Sequence, residues 1–550
     1  MERVKLSASC TLGVLAYFRG GTVRYRNIEW CDFTLKMVNS LCDKAKENRR
    51  LSLSLSVAVG LVLATILSIH GLTSDSSGYV EPRVHPVFLH VVDNNQYAYL
   101  ASSILDGHFY LDLPVDDGLR ELSNPYDFEA RRSLAETRGS RIYWDYAYKD
   151  GHYYSYFGVV PALIAYVPYK IVAGADLETP QAIAFFSVWM VISCAALTYM
   201  LLKVCFPNSL NRFNLISGFL ILVLGSNVAY LTFNSRFYSV PILCSLCLTF
   251  TGFSLYIVAK KNLKQCSDSS CLNSRDRFSR KANVCLFAGT LFVCLNLGSR
   301  PQFILSAFLA IPLFWREIKD RIMFSSTNLG SCFSVGGAIA LCVVPLGLYN
   351  YIRFGSPFDL GSSYNLTGFD MTTYSQSLKT TAKIVYYYLA QPVRYVSSFP
   401  FISSTVMDFS QEWAPNEPMF GGIFSYCPIA ALGLVGIVTV SRNNRTLIIP
   451  TVLCVLFCGI VLLVDARNAG VTQRYFSDFG IYIFFGAALC LWCINENHIA
   501  NRSSVFAKAV VILLLVISIA NVGASVFSPD RYDSVLELNP TLYSNIEELF

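Results

Sequence analysis

Apolar runs of about twenty residues recur along almost the whole 550-residue chain, and a run of that length crosses a hydrocarbon core of about 30 Å. A soluble domain has no way to bury so many of them. Composition agrees: 53% of residues are hydrophobic and 15% charged, against roughly 25% charged in soluble domains. The runs fall at about 51–70, 181–203, 213–233, 239–259, 284–299, 301–315, 331–350, 421–440, 447–465, 475–494 and 507–527. The expected fold is an all-α polytopic membrane protein of about eleven transmembrane helices, with a mixed, partly helical first exterior loop. The pair within 284–315 is short and turns at Ser299-Arg300-Pro301.

Several other classes are excluded. The net charge of +6 is small for this length, and the basic residues sit in short clusters between apolar runs, which suits membrane topology and gives no nucleic-acid signature. Most of the 18 cysteines lie inside apolar runs. The spacings Cys244/Cys247 and Cys490/Cys493 have no second pair or histidine to complete a zinc site. The first apolar stretch, Leu12 to Phe18, is too short for a cleavable signal peptide and is followed by a long polar segment before the first span. No phosphate-binding glycine loop, G-x-S-x-G or H-E-x-x-H is present.

Orientation follows from basic residues, which concentrate on the cytoplasmic side. Lys44, Lys46, Arg49 and Arg50 precede the first run; Lys260, Lys261, Lys264, Arg275, Arg277, Arg280 and Lys281 fill the loop 260–281. Arg316, Lys319 and Arg321 follow the short pair, and Arg442 and Arg445 occupy a turn. All are cytoplasmic only if the stretch 156–173, with Pro161 and Pro168, lies on the outer membrane face instead of crossing. The chain then divides into a cytoplasmic segment 1–50, a first span 51–70 and an exterior loop 71–180. Spans at 181–350, a second exterior loop 351–420, spans at 421–527 and an exterior tail 528–550 complete it.

The first exterior loop carries the chemistry. Residues 71–155 hold 13 Asp/Glu against 7 Arg/Lys, interleaved with aromatics such as Tyr97, Tyr143, Trp144, Tyr146 and Tyr153. Carboxylates accept from sugar hydroxyls or act as bases, and rings stack on pyranose faces; an interfacial aromatic belt has the same composition. Asp93-Asn-Asn-Gln-Tyr97 opens a short amphipathic helix with Tyr97, Leu100, Ala101 and Ile104 on one face, ended by Asp106-Gly107. In that pattern Asp93 is the N-cap, with Gln96 completing a capping box; a carboxylate just beyond the first span equally suits a general base.

The segment Asp93-Asn-Asn-Gln-Tyr97-Ala-Tyr-Leu-Ala101 resembles the first-loop motif of membrane glycosyltransferases of the GT-C class, protein-mannosyltransferase-like family 39 in particular. Tyr154-Ser-Tyr-Phe-Gly-Val-Val-Pro161 resembles that family's proline-containing surface helix before the second span. The similarity covers the first ~200 residues best. The resemblance implies that Asp93 deprotonates the acceptor. Where the family often has Asp-Glu, this chain has Asp93-Asn94, which leaves a second carboxylate or metal-ligand role to Asp145 or Asp150.

In such enzymes the donor is a sugar on polyprenyl phosphate, so a cation meets phosphate at the outer interface. Arg300, Arg353 in Asn-Tyr-Ile-Arg-Phe-Gly, and Arg474 in Gln-Arg-Tyr-Phe-Ser-Asp478 are the candidates, since arginine binds phosphate bidentately at any pH. Interfacial arginine also snorkels to ordinary headgroups. Tyr97, Asp145 and Asp478 join them as candidate substrate contacts. The implied activity is an inverting transfer at the exterior face, with a divalent metal possible and the acceptor a glycan, lipid or protein. The alternative is a transporter or flippase of lipid-linked or envelope substrates; coupled transporters place ionisable groups within their spans.

Overall fold

The computed structural model describes residues 28–74, 82–233, 236–267, 279–325, 328–409, 414–443, 447–496, 502–531 and 534–550. Two units divide it, residues 1–53 and 54–550. The described part of the first is helical, the opening of α1 (Ile28–Ser74). The stretch Leu12–Phe18 and the basic residues Arg275, Arg277 and Arg445 lie outside the described residues.

The protein is an all-α polytopic membrane protein. Eight helical stretches are long and apolar enough to cross a bilayer: Glu47–Gly71, Thr179–Cys205, Ser239–Leu263, Arg280–Gly298, Leu329–Phe354, Ile448–Asn468, Gln473–Cys493 and Val505–Val526. Each coincides with an expected run. The other three expected spans fall on shorter apolar helices, Arg212–Gly225, Pro301–Leu313 and Pro428–Val438. The causes are local. The run 213–233 breaks at Asn227, in the left-handed region with φ 53°, a conformation asparagine tolerates. Its side chain donates to Gln473 O (2.9 Å). The run 301–315 opens as 3₁₀ turns behind Pro301, and 421–440 is interrupted at Cys427-Pro428, where proline cannot donate to the preceding turn.

The helices used below are α2 (Gln96–Leu105), α3 (Phe128–Arg138), α4 (Thr179–Cys205), α5 (Arg212–Gly225), α6 (Ser239–Ser267), α7 (Arg280–Cys294), α8 (Leu329–Phe354), α9 (Ile448–Asn468), α10 (Phe476–Glu496) and α11 (Arg502–Val526). The interior is built around α6, flanked by α4 and α7, and α10, flanked by α5 and α9. Small residues permit the approach, as expected where packing and not water drives association. A Cβ on Gly218 of α5 would stand 2.6 Å from the Trp492 ring of α10, and Trp492 is fully buried, donating to Asn214 O (3.2 Å). By contrast α8 and α11 leave Phe333, Val344, Leu513 and Val516 exposed; apolar surface of that kind suits hydrocarbon.

The stretch 156–173 begins as a wide turn at Ala162–Tyr166 and continues as a helix to Ala173. It is among the shorter apolar helices, and leaves Leu163, Ile171 and Val172 exposed.

Residues 82–157 form a folded layer. Strands β1 (Arg83–Val84) and β2 (Val91–Val92) pair antiparallel, as do β3 (Ala147–Lys149) and β4 (His152–Tyr154). The second hairpin turns at Asp150-Gly151, both with positive φ, the two-residue turn whose twist matches antiparallel strands. The layer is tied to residues 351–371 by Asp145 N–H to Leu366 O (3.0 Å) and Leu366 N–H to Tyr146 O (2.9 Å). The tail also packs inward: Val535 and Tyr543 share an apolar cluster with Ile69, Phe233 and Val526.

Candidate active site

A cavity of about 1160 Å³ opens where the 82–157 layer meets the helix ends. It is lined from the layer by 83–88, Val92, Asn94, Phe128, Glu129, Trp144, Asp145, Tyr156 and Phe157, and further by Asn365, Thr367 and 414–417. Residues 236–238, Ile242, Arg300 and 474–475 add the ends of spans that the charge pattern assigns to one side. From the opposite assigned side, Lys260 and Glu317 pair with each other at 2.7 Å.

Asp145 is the carboxylate at its wall. It is buried, and its backbone is left-handed at φ 57°, a conformation non-glycine residues seldom hold without support. The support is visible. Its N–H and C=O are held by Leu366 O and by Gln96 Nε2 (3.1 Å). The side chain accepts from the Tyr238 hydroxyl and from Asn365 Nδ2 (3.1 Å). Burial raises its pKa above the ordinary carboxylate range, against the opposing pull of those hydrogen bonds and of Arg474.

Arg474 lies over the Tyr238 ring, 4.2 Å from its centroid, and donates through Nη1 to Glu417 Oε1 (2.9 Å). Thr472 Oγ1 donates to the other Glu417 oxygen (2.5 Å). Arg300 grips Asp478 with Nε (3.3 Å) and Nη2 (2.5 Å), and Gln302 Nε2 adds a third bond to that carboxylate (3.1 Å). Both guanidinium groups stand 5.2 Å from the Tyr475 ring. The structure thus brings two arginines 174 positions apart in sequence against one tyrosine in the cavity wall.

The other expected residues have different surroundings. Asp93 is buried with its carboxylate accepting from Asn95 N–H (2.8 Å) and the Tyr99 hydroxyl (2.9 Å); its neighbours Val92 and Asn94 line the cavity. Burial raises its pKa, and those two donors lower it. The expected capping box is corrected. The N-cap of α2 is Asn95, without a side-chain cap bond. Gln96 instead reaches across the layer to Asp145 O and accepts from Ser155 Oγ (2.9 Å) and Tyr156 N–H (3.2 Å). Long-range bonds outcompete the local one. Asp106 does close α2, followed by Gly107 at φ 89°.

Tyr97 is fully buried, stacked on Tyr166 at 5.5 Å. Arg353 is buried outside the cavity lining: Nη1 donates to Ser155 O (3.0 Å), Nη2 to Asn350 Oδ1 (2.8 Å), and the group covers Tyr349 at 3.8 Å. Asp478 is fully buried behind Arg300. Asp150 occupies the β3–β4 turn. Among the described residues, the ligating atoms of Asp106, His108 and Asp112 lie within 4.8 Å of one another, away from the cavity lining. No such trio is found at the cavity among the described residues.

A second hub supports the layer from beneath. Arg131 of α3 is fully buried and donates to His90 Nε2 (3.3 Å), Pro125 O (2.8 Å) and Thr367 O. His90 Nδ1 meets Phe88 O (2.5 Å), so its Nε2 is the acceptor; burial and Arg131 push its pKa down to about 4 and keep it neutral. Tyr238, Asn365, Glu417 and Tyr475 escaped sequence reasoning. Tyr238 had a faint signal in Arg236-Phe-Tyr238 just ahead of an apolar run, whereas Glu417 and Asn365 had none.

No family model and no curated protein matches the chain. Among solved structures it is similar to the oligosaccharyltransferase of Archaeoglobus fulgidus in the apo form, with a TM-score of 0.45 and 11% identity over 86% of this chain and 56% of that one. The same enzyme tethered with an acceptor peptide gives 0.38, 10%, 86% and 55%. Its complex with an inhibitory peptide and a dolichol-phosphate gives 0.37, 11%, 84% and 55%. The chain thus spans little more than half the length of these structures.

Proposed function

We propose that the protein is a membrane glycosyltransferase that moves a sugar from a polyprenyl-phosphate donor to an acceptor hydroxyl. The observation that carries this reading is one cavity at the span ends holding a buried carboxylate, Asp145, and two arginines, Arg300 and Arg474, joined through Tyr238 and Tyr475. A lipid-linked phosphate needs cations at the level where helices leave the membrane. A hydroxyl nucleophile needs a base close by. Here both chemistries share one wall.

In the proposed reaction, Asp145 takes the acceptor's hydroxyl proton as the acceptor oxygen bonds to the anomeric carbon. The bond from that carbon to the phosphate oxygen breaks, and its electron pair leaves on the phosphate. Arg300 and Arg474 stabilise the departing anion with N–H groups beyond those given to Asp478 and Glu417, since a guanidinium carries five. Attack opposite the leaving phosphate inverts the anomeric carbon. Asp145 is favoured over Asp93 as base because Asp145 lines the cavity, whereas at Asp93 only the neighbours Val92 and Asn94 do. The charge pattern supports an exterior site and a cytoplasmic N-terminus.

The test is transfer of radiolabelled sugar from polyprenyl phosphate in proteoliposomes holding the purified chain. Transfer by the wild type, with loss in a folded Asp145→Asn variant, is expected. A wild type that moves intact lipid-linked sugar across the bilayer, with no transfer from any donor, would favour the flippase reading.

A further inference from the structure

The cavity has a second cationic position that the transfer chemistry leaves unused. Arg83, His85 and Arg236 all line it, and the two guanidinium charges both bear on the His85 ring, holding its pKa down together with burial. His85 Nδ1 accepts from Val87 N–H and Phe88 N–H (3.2 Å each). The neutral ring therefore carries its proton on Nε2, as a donor. Three donors, two of them permanently charged, thus line the same cavity.

Aromatic surface adjoins them. Phe88 stacks on His85 (centroids 4.4 Å apart) and on Trp144 (4.8 Å, 11° between planes), and Phe128 meets both Phe88 and Trp144 edge-on. Phe88, Phe128 and Trp144 all line the cavity. Aromatic surface beside fixed cations is what a sugar bearing an anionic group needs: C–H groups against the ring surface that the Phe88 stack leaves uncovered and the anion on the guanidinium groups. Glu129 at the same wall can accept from neutral hydroxyls.

Depth separates Arg83 from the phosphate-facing pair, while Arg236, just ahead of the span at Ser239, is half-buried. Arg300 and Arg474 have side chains 15% and 13% exposed, and each sits at the end of a span. Arg83 belongs to the layer beyond the helices and is exposed, as are Val84 and Val87 beside it. An acceptor entering from the solvent side of the layer would meet Arg83 before Arg300 and Arg474.

From this placement we infer that Arg83, His85 and Arg236, with the Phe88–Trp144–Phe128 shelf, form an acceptor subsite for a sugar carrying a carboxylate or a phosphate. This rests on the transferase reading and narrows its acceptor class. Binding is therefore measured on the purified full chain in nanodiscs without donor, so that it is independent of turnover. The probes are methyl glucuronide, glucose 6-phosphate and, as the neutral control, methyl glucoside. At least one acid is expected to bind about tenfold more tightly than the neutral glycoside, as one charge-assisted contact provides. Preference for the uronide alone assigns a carboxylate, and preference for the phosphosugar alone assigns a phosphate. Arg83→Gln and Arg236→Gln should each bring the acid down towards the neutral sugar. Arg83 is exposed, so its variant keeps the test valid if the Arg236 variant misfolds. If neither acid outbinds the neutral control, or the preference survives Arg83→Gln, the subsite is overturned, while transfer activity judges the transferase reading separately.

Discussion

The guanidinium of Arg474 covers the ring of Tyr238 at 4.2 Å while the hydroxyl of that ring donates to Asp145. One side chain thus fixes both the proposed base and a cation proposed for the leaving phosphate. Two effects of Tyr238 can be separated, because phenylalanine keeps the ring and loses the hydroxyl.

Tyr238→Phe is accordingly expected to slow transfer by about tenfold to a hundredfold with little change in donor KM. The pH profile adds a sign. Asp145 must be ionised to act, and burial already lifts its pKa, so activity should fall on the acid side above the ordinary carboxylate range. The Tyr238 hydrogen bond favours the ionised form. Its loss should move that acid limb to higher pH. An unmoved limb would separate Asp145 from the rate-limiting proton transfer.

Asp93 and Asp145 make a direct comparison. Asn at 93 can still accept from Asn95 N–H, so Asp93→Asn should fold and retain activity within about tenfold of wild type. Asp145→Asn removes the base and should cost about a hundredfold or more. Rates per folded protein, with folding checked by size exclusion in detergent, decide between them. The reverse order would return the base to Asp93, as the sequence resemblance implies.

The two arginines differ in what supports them. Asp478 behind Arg300 is fully buried, whereas Glu417 behind Arg474 keeps 24% side-chain exposure. Removing a partner from a buried pair costs about 3–5 kcal/mol, and the cost falls as the stranded carboxylate gains access to water. Arg300→Ala should therefore lower the melting temperature more than Arg474→Ala. Arg474→Lys keeps the charge and loses the planar fork, so it should raise donor KM or lower kcat in a stable protein. Melting curves and donor kinetics on the three variants check both halves.

Much of this architecture is legible in the amino-acid sequence. Long apolar runs fix where helices must lie, and every expected span coincides with a helix. What the runs hid was length: Asn227 and Pro428 break two of them and a third opens as 3₁₀ turns behind Pro301, and hydropathy averages over a single turn-forming residue. At the site the arginines of the two short motifs were readable as cations near span ends. Their convergence on Tyr475 was not, since it brings together Arg300 and Arg474, 174 positions apart. Asp93 misled locally. Its spacing to Gln96 satisfies a capping box, yet Gln96 is drawn to Asp145 and Ser155, contacts with no trace in local spacing.

The close approach of Gly158 to Gly298 gives the last prediction. A Cβ on Gly158 would stand 2.1 Å from Gly298 O and 2.8 Å from Ser299 N, and both are backbone atoms that cannot swing aside. Gly158 follows Phe157 of the cavity wall, and Ser299 precedes Arg300 while donating to Pro241 O (3.0 Å). Overpacking of this kind costs about 1–3 kcal/mol, so Gly158→Ala should lower the melting temperature measurably. The displacement falls on the turn that carries Arg300. Transfer should therefore drop more than stability alone explains, with donor KM rising even at temperatures where the variant is fully folded. A variant with unchanged stability and kinetics would show that the layer and the helix end part readily, and that Arg300 is not held by this contact.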